Sequence, residues 1–506
     1  MQNMTDGGDM RRIVVVGGGA AGVPLAVRLA EDPEITVTLV EAGPARDLPP
    51  ELDDGTSIRA AAPDHPQNWA YPAHLTPERP WLVARGRVLG GSSAINGGAF
   101  VRACPAEFDA WAEIGGDAWR YENMLPLMRA IETDLDTGAT AVHGCDGPIR
   151  VRRARTDTPL VHAFIHGAVE LGFPVEPDKN APGVAGVGTV PSTVVDGVRV
   201  STATAYSGDC GPAGLTIVSE TVVHRVLFDG IRTTGVETSD GVIPADDVVL
   251  CAGGIGSARV LLASGIGPRA QLEPLGIAVV ADLPVGTAFS DHPDVTLTWR
   301  AATDLSQEVG SPFPATLDFA ADAGDAVDTD LEIVLVTRPL SELLGDEPAA
   351  AGTQELPLIV SLQAPRSRGA IRLTSSDPTS PPDIDYGYLA HEDDRARLRI
   401  GVRTAAALLT SAAFAAMFQG FTDLDTPTLT DDTQLDAWIR GHLGTAIHLS
   451  GSAPMGTVVD GDGRVLGTRG LSVADTSILP TVPTRGPFAT AVLIGEHVAR
   501  VLRAHD

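Results

Sequence analysis

An α/β fold with a Rossmann-like dinucleotide unit is predicted by three features in register near the start of the chain. The first is a β-favouring run, Arg12-Ile13-Val14-Val15-Val16. The second is a glycine turn, Gly17-Gly18-Gly19-Ala20-Ala21-Gly22, opening onto the apolar helical stretch Pro24–Ala30. The third is an acid, Glu41, closing a second run, Thr36–Val40, about 20 residues past the glycines. Each position has a physical task. Gly17 permits the tight turn, Gly19 lets backbone approach a pyrophosphate, and Gly22 lets the helix pack on the strand, with Ala20 and Ala21 completing the loop. The helix N-terminus offers free N–H groups and a partial positive charge to phosphate. Glu41 suits ribose hydroxyls and would repel a 2′-phosphate, which disfavours NADP.

Composition narrows the function classes. The 506 residues hold 36 Lys+Arg against 65 Asp+Glu, a formal charge of −29. Nucleic acid or an anionic membrane as main partner would need a basic face. The basic residues are nearly all arginine, with Lys179 the single lysine, which reads as compositional bias. No apolar run reaches the roughly 18 residues of a spanning helix. The start, MQNMTDGGDMRR, has no apolar signal core. Four cysteines make no disulfide framework in a chain this long. A cytoplasmic, soluble protein is the expectation.

Further along, Leu215–Val218, Val222–Phe228 and Val248–Cys251 read as strands, and Arg395–Met417 reads as a long helix. The stretch 301–353 is acidic and rich in Ala, Asp and Pro, and is expected to be an irregular lid or variable region.

The segment Arg85-Gly86-Arg87-Val88-Leu89-Gly90-Gly91-Ser92-Ser93-Ala94-Ile95-Asn96-Gly97 resembles the first signature of the glucose–methanol–choline (GMC) oxidoreductases. Gly253–Gly267 resembles the second, departing at Gly254 and Ala258. Asp291-His292-Pro293, Ser367-Arg368-Gly369 and Leu471–Asp475 follow in family order. The resemblance implies a Rossmann-like FAD-binding domain interleaved with a substrate domain built on an antiparallel sheet with helices. The FAD-binding parts are expected at 10–155, 196–295 and 441–506, the last also catalytic, and the substrate parts at 156–195 and 296–440. It also implies alcohol oxidation, with oxygen, a quinone or another redox carrier as electron acceptor. Arg87, Gly90, Gly91, Ser92, Ser93, Asn96 and Gly97 would face the cofactor. Helix capping is the bland alternative for the two serines. The backbone of Val223 would contact the adenine, and Asp475 the phosphate and ribityl region. Some family members attach FAD through a His just before the Asn. Here Ile95 stands there, so dissociable FAD is expected.

Alcohol oxidation needs a base for the hydroxyl proton, and a neutral imidazole suits that task. By resemblance the base is His448, in Ala446-Ile447-His448-Leu449-Ser450-Gly451; His442 reads as a helix end. The family's second His or Asn falls on Phe488, which neither accepts a proton nor donates a hydrogen bond. Three explanations stand: His448 acts alone, a neighbour such as Arg485, Thr484 or Thr490 substitutes, or Phe488 and Arg485 shape a pocket for a bulky substrate. The wording around Arg485-Gly486-Pro487 also resembles the mycofactocin-associated branch, in which His stands at the Phe488 position. A non-redox lyase on the same scaffold is the competing class. His143-Gly144-Cys145, which resembles a family loop near the flavin, lacks a companion CxxC or HxxxH set, so no metal is expected. No GxSxG elbow supports a hydrolase.

Overall fold

The computed structural model describes residues 10–207, 212–302, 305, 311–321, 329–345 and 354–504. Ile13–Val16 are β-favouring and buried to a residue, as expected of a strand covered on both faces. They form β1 (Arg11–Val16), which leads through the glycine turn into α1 (Gly22–Ala30) and then β2 (Ile35–Val40). β3 (Leu215–Val218) and β4 (Asp247–Leu250) join them. The order is β3-β2-β1-β4 followed by Leu471–Val473, and every pairing is parallel. Such a sheet binds ligands beyond the carboxyl ends of its strands. There the turn after β1 meets the turn before α2 (Gly253–Ala263). Val223–Asp229 is a strand of a separate small antiparallel sheet with Arg232–Thr238 and Gly241–Pro244.

The second large sheet is antiparallel. Its centre is β5 (Pro293–Ala301), β6 (Ala315–Phe319), β7 (Leu331–Leu335) and β8 (Gln354–Leu362). They lie in the order β5-β8-β7-β6, flanked by Phe418–Phe421 beside β5 and Val187–Thr189 beside β6. Alternate residues such as Val295, Ile333 and Val360 are buried on one face, against α3 (Glu392–Leu409). The helix approaches closely because Gly401 has no Cβ; one there would stand 2.6 Å from Val360 Cγ1.

Three expectations are corrected. The stretch 301–353 is not simply a lid: its described residues include β6 and β7 in the middle of the sheet. Asp318 and Glu332 pair across these strands on the sheet's inner face, and Asp318 is buried. The long helix ends at Leu409, followed by a short turn at Ala412–Phe414. The sheets also cross the expected domain boundaries. β5 begins at Pro293, and β9 (Leu443–Thr445) pairs antiparallel with it. The C-terminal helix α4 (Phe488–Arg503) returns to the parallel sheet and crosses α1 at Gly495, where a Cβ would lie 2.2 Å from the Ala21 carbonyl. Among the described residues no helix is long and apolar enough to cross a membrane.

Candidate active site

One cavity of about 510 Å³ runs from the glycine turn to the inner face of the antiparallel sheet. At the turn, Gly17 has φ +99°, and a Cβ there would lie 2.6 Å from the Cys251 carbonyl. At Gly22 it would lie 1.9 Å from the Gly17 carbonyl, so that glycine packs the helix on its own turn. Gly19, Ala20 and Ala21 line the cavity. Glu41 also lines it, its two oxygens accepting the N–H groups of Gly18 and Gly43 at 2.9 and 2.8 Å. Burial pushes its carboxyl up to about 7, against the pull of those N–H groups. A ligand hydroxyl would add a further donor.

The second glycine cluster faces the first. Gly90 donates to the Gly18 carbonyl at 2.7 Å, and a Cβ on Gly91 would stand 2.7 Å from Gly19 Cα. Gly91, Ser92, Ser93, Asn96 and Gly97 line the cavity, whereas Gly90 and Gly22 support it from behind. The serines do not cap a helix, because Gly90 holds the N-cap of the short turn Gly91–Ala94. The Ser93 hydroxyl donates to the Gly90 carbonyl at 2.6 Å, and Ser92 Oγ accepts from Gly86 N at 3.2 Å. Arg87 is off the wall, its guanidinium 5.0 Å from the Trp69 ring centre. Trp69 stacks with Tyr71, 5.5 Å between centres, and both rings line the cavity. Neither was singled out from sequence. Val223 lines it too, and its carbonyl accepts from Arg259 at 3.1 Å. Asp475 lines it while holding the third cluster in place. One oxygen accepts from Gly253 N and Ser257 Oγ, the other from Ser477 N and Oγ.

At the other end, His448 lies just past β9, after Ile447, whose φ is +65°. Its Nδ1 is 2.9 Å from Nδ1 of His292, a residue 156 positions away. Asp291 Oδ1 accepts the backbone N–H groups of both histidines at 2.7 Å. Burial, the His292 ring and the Arg85 guanidinium hold the His448 imidazole well below its ordinary pKa, so it is neutral. A Cβ on Gly486 would come within 3.6 Å of its Cε1 and Nε2, so a glycine leaves that edge open. Phe488, the first residue of α4, lines the cavity and packs edge-on against Phe100, 5.2 Å between centres.

Arg485 is not a pocket residue. Its guanidinium is turned inward, 3.0 Å from Glu176 and 3.4 Å from Asp318, and is 4% exposed. Ion pairing in the interior outweighs any pull from the cavity. The loop of His143 is likewise away from the cavity. His143 is buried against Glu132 and Asp134, at 2.8 and 3.1 Å, and reaches Asp178 at 2.7 Å. Ligand atoms of Glu132, Asp134 and His143 lie close enough for a metal, but Arg102 and Arg153 already answer these acids at 2.6 and 2.8 Å. Three cations therefore meet three carboxylates.

A parallel nucleotide-binding sheet whose cavity ends at a neutral imidazole on a second sheet defines a dinucleotide-dependent oxidoreductase. Family models described as GMC oxidoreductase match residues 10–294 and 365–495. The chain is 40% identical to a GMC-type oxidoreductase of Rhodococcus erythropolis, covering 98% of each chain. It is 34% identical to an oxygen-dependent choline dehydrogenase of Ectopseudomonas mendocina, covering 97% of this chain and 93% of that one. Among solved structures, pyridoxine 4-oxidase from Mesorbium loti superposes with a TM-score of 0.90 at 27% identity, covering 98% of this chain and 100% of that one. The protein belongs to the GMC oxidoreductases, and FAD is its cofactor. Three glycine clusters with room for backbone contact, and acceptors at Glu41, fit that group.

Proposed function

We propose that the enzyme oxidises an alcohol carbinol, with His448 as the base that takes the hydroxyl proton. Bound FAD supplies the hydride acceptor, at flavin N5. The observation that carries the reading is the imidazole pair. In this reading the proton shared by the pair, whose Nδ1 atoms are 2.9 Å apart, sits on His448. His292 Nδ1 is then an acceptor, and His448 donates its own Nδ1–H to it. The lone pair of His448 is thereby left on Nε2, at the edge beside Gly486. Arg85, which lines the cavity, bonds the Ile447 carbonyl and fixes the loop. Phe488 adds an aromatic wall at this end, backed by Phe100.

The test is anaerobic flavin reduction across an alcohol panel, followed by oxygen and a quinone as competing acceptors. His448→Ala should slow reduction by about 10²-fold or more; an unchanged rate sinks the assignment of the base. Ile95 lines the cavity where a covalent link would need a nucleophile. Acid precipitation should therefore release the flavin into solution, and retention in the pellet would refute dissociable FAD.

A further inference from the structure

The antiparallel sheet places a row of polar groups on the cavity wall. Across β5, β8, β7 and β6, Asp294 stands opposite Ser361, Ser361 opposite Glu332, and Glu332 opposite Asp318. Directly paired residues share one face of a sheet. Asp294, Ser361 and Glu332 all line the cavity.

The row is short of positive charge and of donors. Lys179 and Arg485 lie 2.5 and 3.4 Å from Asp318, and the same two cations hold Glu176 at 2.8 and 3.0 Å. Two cations thus meet two carboxylates, and Glu332 is left over. Its Oε2 accepts the Gln363 amide at 2.9 Å. The Asp294 carboxylate accepts no hydrogen bond from any described residue. The hydroxyl of Ser361, a residue only 1% exposed, has no hydrogen-bond partner among them either. Burial pushes the Asp294 carboxyl up to about 7, and burial with Asp318 alongside pushes Glu332 up. Neither is in ion-pair contact with a cation among the described residues; Arg79 acts on Asp294, and Lys179 and Arg485 on Glu332, only from farther off.

The position is equally specific. Asp294 faces Gly444 across β5 and β9, where a Cβ would lie 2.3 Å from Asp294 Oδ1. The glycine thus clears space for the carboxylate. Asp294 follows His292 by two residues, about 7 Å of strand. The row therefore begins at the end of the cavity that holds the imidazole pair. Unpartnered acceptors want both charge and N–H donors. A quaternary ammonium supplies charge without donors, and a plain alkyl chain supplies neither.

We propose that the row Asp294–Ser361–Glu332 seats a protonated primary or secondary amine of the substrate, so that the preferred substrate class is an amino alcohol. This rests on the reading of the cavity as an alcohol-oxidising site.

The test uses the holoenzyme with aminopropanol, aminobutanol and aminopentanol. Each is set against its N-trimethylated counterpart and the 1-alkanol of matching length. The best amino alcohol should exceed both comparators in kcat/KM for flavin reduction by about tenfold or more. Glu332→Gln and Asp294→Asn should each shrink that ratio to within about threefold, while Glu237→Gln, on a distant small sheet, should keep it. Equal use of the trimethylated or plain alcohols, or a ratio that survives in both cavity variants, overturns the proposal. If no alcohol reduces the flavin, the alcohol reading fails separately. The seat is then read by titrating the same amines against the flavin absorbance. A saturable change that Glu332→Gln abolishes upholds it, and none overturns it.

Discussion

Two glycines of the first turn look alike in sequence and do different work. A methyl group on Gly22 would meet the backbone carbonyl of Gly17 at 1.9 Å, with no side chain free to give way. A methyl group on Gly19 would meet only Gly91 Cα at 3.8 Å, an ordinary contact, and would project into the cavity. Gly22→Ala should therefore lower unfolding free energy by about 1–3 kcal/mol. Gly19→Ala should leave the urea midpoint of the flavin-free protein within experimental scatter and weaken FAD binding instead. Urea denaturation of the stripped protein and FAD titration separate the two effects. A midpoint loss as large for Gly19→Ala as for Gly22→Ala would refute the division of labour. That division was legible in advance because both roles follow from local backbone geometry.

Elements were legible in proportion to how local their pattern is. β1, the glycine turn, α1 and β2 carry their own periodicity and fall within a residue or two of expectation. β6 and β7 did not declare themselves. Their inner faces carry Asp318 and Glu332, acids that resemble solvent-facing residues until the sheet register is known. The contact of His292 with His448 joins residues 156 positions apart, beyond any sequence spacing. The same applies to the loop holding His143, which sequence placed near the flavin and the fold ties to Glu132 and Asp178. Those two carboxylates outweigh the cost of burying the ring and raise its pKa from 6.5 to about 9. The folded state thus binds the proton more tightly than the unfolded chain. The stabilisation is complete below pH 6.5 and is lost as pH rises through about 9. The stability gap between wild type and His143→Gln should accordingly be widest at about pH 6.5, narrow as pH rises from there, and close above pH 9. A gap that stays constant to higher pH would contradict the charged imidazole.

At the scale of the whole molecule, the cavity is where the two large sheets meet, and its walls come from segments scattered from Val16 to Ala491. The parallel sheet supplies the glycine turns, and the antiparallel sheet supplies the row that begins at Asp294. Glu41 and Asp475, at the ends of strands of the parallel sheet, are buried acids that line the cavity as well. Bound FAD would replace water along most of this length and touch backbone from all three glycine clusters. Folding and cofactor binding should then be linked. A ligand that binds only the folded chain stabilises it by about 1.4 kcal/mol for each tenfold rise in its free concentration above Kd. The melting temperature of the stripped protein should climb steadily with the logarithm of added FAD. ADP, which reaches only the Glu41 end, should give a smaller rise that saturates lower. A melting temperature indifferent to FAD would mean that the sheets hold their arrangement without the cofactor, and that the cavity is not the link between them.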